Sequence, residues 1–269
     1  MHGLGNDFMV IDATDRPITL SKSVIQQLAD RNLGVGFDQL LMVEPSPSDD
    51  CDFRYRIFNS DGSEVEQCGN GARCFARFVT SQGLTTKREI PVLTAGGRIV
   101  LFLEDDDQVT VDMGLPELTP AKIPFVASAQ LPTYQHELVG HDLTFSAVSM
   151  GNPHAVITVD DVETAAVEIL GPAFQQDPIF PAQVNVGFMQ VIDRETIRLR
   201  VFERGVGETM ACGSGACAAI VAGCLQGLLD NTVTVILPAG NLRIHWAGDN
   251  SVVRRTGPAT TVYHGTITV

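Results

Sequence analysis

The feature that most limits how this chain can fold is an internal repeat. Residues 53–72 (FRYRIFNSDGSEVEQCGNGA) and 197–216 (IRLRVFERGVGETMACGSGA) align without a gap. The identical pairs in this alignment are Arg54/Arg198, Arg56/Arg200, Phe58/Phe202, Glu64/Glu208, Cys68/Cys212, Gly69/Gly213, Gly71/Gly215 and Ala72/Ala216. Earlier in each copy, Gly5-Asn6 falls on Gly151-Asn152 and Gln39 falls on Asn185. Two matched stretches in the same order indicate duplication of a unit of about 120–140 residues, which is the length of a domain and too long for a solenoid repeat.

The junction between the two copies is expected near Gly114-Leu115-Pro116, where a strand-like run gives way to Pro-rich sequence. We therefore predict an N-terminal half of residues 1–114 and a C-terminal half of residues 115–257, each with one of the duplicated cysteines. The sequence leaves open which half takes the last strand, and the assignment allows residues 258–269 to pack with the first half.

Secondary structure is predicted from the periodicity of the apolar residues. Alternating or β-branched runs predict strands at 7–12, 39–44, 53–58, 98–103, 108–113, 155–159, 185–192, 196–202, 232–237, 241–246 and 260–269. Helices are predicted at 21–31, 70–82, 161–170 and 214–228. Because strands and helices alternate little, the pattern favours an α+β fold with a mostly antiparallel sheet. The helix at 214–228 is apolar on nearly every face, so we expect sheet to surround it.

Charge and composition argue against several classes of protein. The chain has 18 Lys and Arg against 32 Asp and Glu, and its net charge of −14 argues against binding to nucleic acid or to an anionic membrane. We find no apolar run long enough for a membrane span and no charged-then-apolar leader, which predicts a cytoplasmic location. Six cysteines in 269 residues are too few for a disulfide scaffold, so we expect free thiols.

Two of the cysteines stand at predicted helix starts. Cys68 precedes Gly69-Asn70-Gly71, and Cys212 precedes Gly213-Ser214-Gly215. The free N–H groups and the positive dipole end of a helix start favour an anion, either the thiolate itself or a carboxylate of a ligand. The pKa of a thiol in such a place can fall to about 3.5–7.5. The other cysteines are predicted to be structural: Cys51, Cys74, Cys217 and Cys224.

A single Cys-Gly pair before a helix usually reflects packing and capping, but two at equivalent positions of a duplication favour a joint role. Inverting a carbon centre without a cofactor requires one group that removes a proton from one face and another that returns a proton to the opposite face. A thiolate and a thiol can do this, and they exchange roles in the reverse direction. The chain has only three lysines, none in a context typical of a Schiff base, and no P-loop or dinucleotide fingerprint. We predict an enzyme with no cofactor and no metal, and we interpret the acidic run 104–107 as a solvated hairpin turn.

Several motifs in the same order resemble those of one known family: residues 2–8 (HGLGNDF), 34–39 (GVGFDQ), 68–74 (CGNGARC), 151–154 (GNPH), 203–205 (ERG) and 212–215 (CGSG). Over essentially the whole chain they resemble the diaminopimelate epimerase family. The resemblance implies cofactor-independent interconversion of LL- and meso-2,6-diaminopimelate, on the bacterial route to lysine and peptidoglycan. It implies two pseudo-symmetric halves, each a curled, mostly antiparallel sheet around a central helix, with the active site in the cleft between them. Family members usually carry a few residues before the first motif, so we expect either a shorter first strand in this chain or a natural start upstream of Met1.

The resemblance also assigns roles to individual residues. It implies that Cys68 is the proton donor and Cys212 the proton acceptor, with His154 and Glu203 tuning the pKa values of the thiols. The positions that it implies for substrate binding are Asn6, Gln39, Asn59, Gly69, Asn70, Asn152, Asn185, Glu203, Arg204, Gly213 and Ser214. The implied substrate is a small molecule with an α-amino acid at each end. Tyr263 matches a dimer-contact residue, which implies a homodimer.

Three other functions remain open at this point. One is a different cofactor-independent racemase or isomerase of the same architecture, resembling proline racemase or the phenazine-biosynthesis isomerases. Another is a redox protein in which Cys68 and Cys212 form a reversible disulfide. The third is a binding module without chemistry, for which Cys68→Ala would leave all function intact.

Overall fold

The computed structural model describes residues 1–65, 69–248 and 250–268. The chain divides into two compact units, one made of Met1–Asp112 with Thr256–Val269 and the other of Met113–Arg255. We call them unit 1 and unit 2. Cys68 lies outside the described residues, so the fold and the site are built from the residues around it.

Unit 1 is mostly sheet and contains two helices. Its elements are β1 (His2–Gly3), β2 (Asn6–Asp12), α1 (Lys22–Ala29), β3 (Gln39–Pro45), β4 (Phe53–Asn59), β5 (Glu64–Val65), α2 (Gly69–Ser81), β6 (Glu89–Thr94), β7 (Gly97–Leu103) and β8 (Val109–Asp112). The turn between β7 and β8 contains the acidic run 104–107, as the sequence predicts. Most pairings are antiparallel, but β2 pairs parallel with β3, and β4 pairs parallel with β6.

Unit 2 repeats this order after an additional hairpin. A short 3₁₀ helix (Pro120–Lys122) is followed by β9 (Tyr134–Leu138), β10 (His141–Ser149), β11 (Pro153–Thr158), α3 (Val167–Gln176), β12 (Asn185–Asp193), β13 (Thr196–Glu203), β14 (Gly207–Thr209), α4 (Gly213–Leu225), β15 (Thr232–Leu237) and β16 (Gly240–His245). The last strand, β17 (Arg254–Gly257), contains the boundary between the units.

The strand registers of the two units are the same. Phe8 pairs with Gln39 between the parallel strands β2 and β3, and His154 pairs with Asn185 between the parallel strands β11 and β12. The antiparallel pairs Ile57↔Val65 and Val201↔Thr209 correspond in the same way, as do the parallel pairs Phe53↔Val92 and Ile197↔Val235. The shared registers agree with the duplication, and the predicted α+β fold is confirmed.

One helix packs inside each sheet. In unit 1, α2 contacts β1, β2, β3, β7 and β8, and in unit 2, α4 contacts β10, β11, β12, β13 and β16. Since each helix touches both early and late strands of its own unit, the sheet curls around it. In α4, residues 215–223 are all buried, as expected for a helix that is apolar on nearly every face.

Two predicted elements are wrong in extent. Residues 261–268 form no strand, and they are exposed although they alternate apolar and polar side chains; Thr260 makes an isolated bridge to His2. This alternation reflects β propensity, but a segment forms a strand only where it can pair with a neighbouring strand. The helix predicted at 161–170 instead spans Val167–Gln176, because Asp161 holds a turn by accepting from the N–H of Glu163 at 3.0 Å.

The prediction also misses β6 and the β9–β10 hairpin. Pro91 lies within β6, and a proline in a run argues against a strand, whereas the equivalent β15 has no proline and is predicted. The β9–β10 turn uses Val139 and Gly140, both with positive φ. Valine seldom adopts this conformation, so the sequence lacks the Asn-Gly or Asp-Gly signal of such a turn.

Candidate active site

Cys212 is the N-cap residue of α4 and is buried, with φ −116° and ψ 110°. Its Sγ donates a hydrogen bond to Glu203 Oε2 at 3.1 Å and lies 3.7 Å from Ser214 Oγ. The hydroxyl of Thr209 donates to the other oxygen of Glu203, Oε1, at 2.5 Å. The end of β13, the strand β14 and the first turn of α4 thus meet around one thiol and one carboxylate.

The surroundings of Cys212 favour the thiol form. Burial raises the pKa of Cys212 well above its ordinary value, and the negative charge and the hydrogen bond of Glu203 raise it further. The backbone N–H of Gly215 and the hydroxyl of Ser214 act in the opposite direction. Cys212 therefore holds its proton in this structure, and a thiolate formed at this position would be a strong base.

His154 lies on β11 next to Asn152. Its Nε2 is 3.1 Å from Asn152 Oδ1, while Nδ1 is buried and has no hydrogen-bond partner within residues 1–65, 69–248 and 250–268. Burial lowers the pKa of His154 to about 3, and the positive charge of Arg204 also lowers it. The imidazole is therefore neutral at physiological pH.

Asn185, the first residue of β12, holds the backbone of two neighbouring segments. Its side-chain Nδ2 donates to the carbonyl oxygen of Pro153 at 3.0 Å, and its Oδ1 accepts from the N–H of Arg204 at 2.8 Å. The exposed Arg204 side chain donates through Nη1 to the carbonyl oxygen of Ala182 at 2.9 Å. Asn185 therefore fixes the loop after β13 against the start of β11.

In unit 1, the predicted binding residues form two side-chain clusters. Gln39 Nε2 donates to Asn59 Oδ1 at 2.9 Å, and Asn59 Nδ2 donates to Ser63 Oγ at 3.2 Å. Asn70 Nδ2, in the first turn of α2, donates to Asn6 Oδ1 at 3.4 Å. The amides at the starts of β2 and α2 are thus adjacent, and so are those at the facing ends of β3 and β4.

The predicted site residues are therefore grouped within each unit. Unit 2 brings Cys212, Glu203 and Ser214 together, pairs His154 with Asn152, and joins Asn185 to the backbone of Arg204. Unit 1 pairs Asn6 with Asn70 and Gln39 with Asn59. Gly69 and Gly213 are the first residues of α2 and α4.

Three side chains that support these groups were not predicted from the sequence. Asp38 accepts from Asn6 Nδ2 at 2.9 Å, and Arg73 Nη1 donates to Asn70 Oδ1 at 3.1 Å. Thr209 is the third, through its hydrogen bond to Glu203. Asp38 and Arg73 lie inside motifs that are visible in the sequence, whereas no signal in the sequence singles out Thr209.

The remaining cysteines are consistent with a structural role. Cys51, Cys74 and Cys217 are buried, and Cys224 Sγ lies 3.3 Å from the carbonyl oxygen of Asp230. Within the described residues, no group of three or more His, Cys, Asp or Glu side chains is placed to hold a metal ion. In that same part of the chain, no helix is both long and apolar enough to span a membrane.

The sequence profile of the diaminopimelate epimerase family matches residues 1–119 and 146–262. A diaminopimelate epimerase from Thioalkalivibrio sulfidiphilus (strain HL-EbGR7) is 59% identical over 271 residues, which cover 100% of this chain and 98% of that protein.

Solved structures with low sequence identity share the fold. A putative phenazine biosynthesis PhzC/PhzF protein from Clostridium difficile (strain 630) aligns with a TM-score of 0.66 and 17% identity, covering 98% of this chain and 94% of that chain. A hydroxyproline epimerase from Agrobacterium vitis aligns with a TM-score of 0.60 and 15% identity, covering 96% and 87%. At such identities the likeness concerns the fold alone. The family profile and the 59% identical relative, in contrast, extend over most or all of the sequence, and this chain belongs to the diaminopimelate epimerase family.

Proposed function

We propose that this chain converts LL-2,6-diaminopimelate to meso-2,6-diaminopimelate without a cofactor, in the formation of lysine and peptidoglycan precursors in the cytoplasm. The single observation that carries the proposal is the thiol of Cys212, which lies at the start of α4 and donates to Glu203. Family membership supports the same reaction.

The proposed mechanism uses two thiol groups on one stereocentre. A thiolate removes the α-proton from one face, and a thiol on the other face donates its proton to the carbanionic carbon. The base ends as a thiol and the acid as a thiolate, so the reverse reaction uses the same pair with the roles exchanged. We assign Cys68 as donor and Cys212 as acceptor for one direction. Because its raised pKa keeps Cys212 protonated in this structure, Cys212 must lose its proton before it can act as the acceptor.

The α-carboxylate of the reacting centre is proposed to bind at the two helix starts, through the amides of Gly69-Asn70 and Gly213-Ser214. The free N–H groups of a helix start stabilise the negative charge that develops on this carboxylate as the α-proton leaves. Glu203 raises the pKa of Cys212, and we propose that His154 tunes the thiol chemistry as a neutral group.

The second amino-acid end of the substrate is proposed to bind the remaining amide and guanidinium side chains. They are Asn6, Gln39, Asn59, Asn152, Asn185 and Arg204. Amides can accept from an ammonium group and donate to a carboxylate, and Arg204 can pair with a carboxylate through two N–H groups. We propose that residues 1–114 and 115–257 act as the two duplicated halves of this enzyme, with residues 258–269 belonging to the first.

We propose that the protein is a homodimer that contacts its partner copy through the C-terminal segment. Val262, Tyr263 and Ile267 are exposed to 62%, 64% and 43%. Large apolar side chains clustered at a surface favour burial against another protein surface. The net charge of −14 gives no support for nucleic-acid or anionic-membrane partners.

The test is turnover of LL-2,6-diaminopimelate by the reduced protein and its cysteine variants. Cys68→Ala and Cys212→Ala are each expected to lower kcat by about 10²–10⁴-fold, because each removes one of the two proton-transfer groups. Cys224→Ala is the matched control and is expected to retain activity, since the hydrogen bond of Cys224 Sγ goes to the backbone carbonyl of Asp230 and to none of the predicted site residues.

Two results would overturn the proposal. One is turnover of proline in preference to diaminopimelate, which would favour the racemase alternative. The other is retention of full activity by Cys212→Ala. A redox role predicts activity that depends on oxidation, so all assays contain excess thiol reductant.

A further inference from the structure

Two amide side chains of unit 1, Asn6 and Asn70, lie between a cation and a carboxylate. Arg73 Nη1 donates to Asn70 Oδ1 at 3.1 Å, and Asn70 Nδ2 donates to Asn6 Oδ1 at 3.4 Å. Asn6 Nδ2 in turn donates to Asp38 Oδ2 at 2.9 Å. Three consecutive hydrogen bonds therefore join Arg73 to Asp38, and we call these four side chains the amide row.

The charged ends of the amide row determine which way round each amide lies. A guanidinium can only donate, so the atom of Asn70 that faces Arg73 is its oxygen. An ionised carboxylate can only accept, so the atom of Asn6 that faces Asp38 is its nitrogen. The inner hydrogen bond must then run from the nitrogen of Asn70 to the oxygen of Asn6. No other arrangement of the two amides satisfies all three hydrogen bonds.

Other contacts hold both ends of the row in place. Arg73 is fully buried, and its Nε donates to the carbonyl oxygen of Pro258 at 3.0 Å. Asp38 accepts from Arg31 Nη2 at 2.8 Å and from the backbone N–H of Asp7 at 3.1 Å. Turning either end away from its amide would break these hydrogen bonds, which are costly to lose where a charged group takes part.

Unit 2 holds its counterpart of this region differently. In the duplication, Cys217 corresponds to Arg73 and Val184 corresponds to Asp38, and both are buried and uncharged. Asn152, the counterpart of the first amide of the row, instead lies 3.1 Å from an imidazole nitrogen. The two units therefore orient equivalent amides by different means, and the charged ends belong to unit 1.

We propose that Arg73 and Asp38 are positioning residues, which fix the order of acceptor and donor that Asn6 and Asn70 present to the substrate. The proposal rests on the function proposed above, in which both amides bind the amino-acid substrate. An amide oxygen has two lone pairs and an amide nitrogen two hydrogens, so the inner atoms of the row can also bind a ligand. Asn6 Oδ1 suits an ammonium group and Asn70 Nδ2 suits a carboxylate. Reversing the amides would exchange these preferences, so the row determines which way round an amino-acid end binds.

The row is tested first through stability, without any assay of activity, by a double-mutant cycle between Asn70→Asp and Asp38→Asn. Asn70→Asp keeps an oxygen for Arg73 but places a second oxygen against Asn6 Oδ1, and Asn6 cannot turn while Asp38 holds its nitrogen. Asp38→Asn introduces a donor, which lets Asn6 turn and donate to the carboxylate at position 70. The double variant is expected to unfold about 2–4 °C above the sum of the two single shifts.

Asp7→Asn is the matched control for this cycle. It removes the same charge from the same cluster, but its carboxylate accepts from Arg31 and from the backbone N–H of Asp38, outside the amide row. Its shift in the unfolding midpoint is expected to add to that of Asn70→Asp. Additive shifts for Asp38→Asn as well, or equal coupling for both carboxylates, would overturn the row.

Substrate binding tests the positioning role with variants that release the direction of the row. Arg73→Gln and Asp38→Asn each replace a charged end with an amide, which can both donate and accept. One remaining charged end still fixes the order, whereas the double variant can lie either way round. Its KM for LL-2,6-diaminopimelate is expected to exceed the product of the single effects by about 2-fold or more, with little change in kcat, because about half of the molecules have the reversed order.

Arg73→Lys keeps a group that can only donate and is the matched control for binding. Combined with Asp38→Asn, it is expected to give a KM no higher than the product of the single effects. Equal KM values for the Gln and Lys double variants would overturn the positioning role. If Arg73→Gln fails to fold, the cycle between positions 38 and 70 decides, because it leaves Arg73 intact. Coupling in that cycle without turnover of diaminopimelate by the wild type would leave the row in place and contradict the proposed function.

Discussion

The two units carry different side chains at one equivalent position of the duplication. Asn59 ends β4 and Glu203 ends β13, and the two strands pair with their hairpin partners in the same register. Asn59 contacts the neutral side chains of Gln39 and Ser63, whereas Glu203 contacts the thiol of Cys212. The duplication has kept the backbone pairing and changed the charge at this position. One fold thereby places a carboxylate against Cys212 and a neutral amide at the equivalent position of unit 1.

The largest expected effect comes from removing that charge. Glu203→Gln is expected to lower the pKa of Cys212, because the carboxylate that disfavours the thiolate is gone, and to reduce kcat about 100-fold. The pKa is measured from the pH dependence of Cys212 alkylation in a Cys68→Ala background. Asn59→Asp is the matched change in unit 1, and we expect it to shift the pH profile of turnover without moving the alkylation of Cys212. An unchanged alkylation profile in Glu203→Gln would show that the carboxylate does not set the asymmetry.

The second comparison concerns His154 and its counterpart Phe8, which are both buried and occupy the same register position. The folded-state pKa of His154, about 3, lies below its ordinary value of 6.5, so the unfolded state binds the proton more readily. The stability contributed by neutral His154 is complete above about pH 6.5 and is lost as the pH falls towards 3. We expect a loss of about 2 kcal/mol between about pH 7 and pH 5.

His154→Phe makes unit 2 resemble unit 1 and is expected to remove this part of the acid sensitivity. His154→Leu is the smaller variant that controls for overpacking by the phenyl ring. Urea unfolding across the pH range gives the free energies. An unchanged slope between pH 7 and 5 in both variants would assign the acid sensitivity to other groups.

The third comparison concerns the second glycine of each helix start. A Cβ on Gly71 would lie 2.3 Å from the hydroxyl of the buried Tyr55, whereas one on Gly215 would lie 3.1 Å from Val201 Cγ2 and 3.2 Å from Cys212 Sγ. Gly71→Ala is expected to lower the free energy of unfolding by about 1–3 kcal/mol, and Gly215→Ala by less. Equal losses in urea unfolding would contradict the difference in packing.

The smallest effects are expected at a pair of duplicated ion pairs. Arg56 binds Glu64 through two contacts of 2.8 Å, and Arg200 binds Glu208 at 2.6 and 2.8 Å. Glu64→Gln and Glu208→Gln are each expected to cost about 0.5–1 kcal/mol, and less at high salt. The cost in unit 1 is expected to be the smaller, because Arg56 also contacts Glu44 at 3.3 Å. A larger loss for Glu64→Gln in chemical denaturation would reverse this order.

The duplication made much of the fold predictable. Matching residues 53–72 with 197–216 implied matching strands, and the registers of β4–β5 and β13–β14 agree. The strand predictions were wrong where the local sequence pattern and the tertiary structure disagree. Pro91 argued against a strand at β6, although the equivalent β15 was predicted. The residues after Thr260 have the alternating pattern of a strand but form none.

Only part of the candidate site was predictable from the sequence. Cys212 at a helix start followed from the glycines after it. The family resemblance implied that Glu203 tunes the pKa of a thiol, and the structure shows its contact with Cys212. The contact of Arg73 with the carbonyl oxygen of Pro258 was not predictable, because it depends on how a late segment packs against a helix distant in sequence. Burial and hydrogen-bond partners, which determine the pKa of a group, are likewise properties of the folded chain.

The central claim is that two thiols transfer protons to and from one carbon. The most direct measurement incubates the reduced protein with LL-2,6-diaminopimelate in D₂O and stops the reaction early. Two-base transfer predicts one deuterium at the inverted α-carbon of the meso product, while the recovered LL substrate remains unlabelled. Meso product without deuterium, or recovered substrate labelled as fast as product forms, would contradict it.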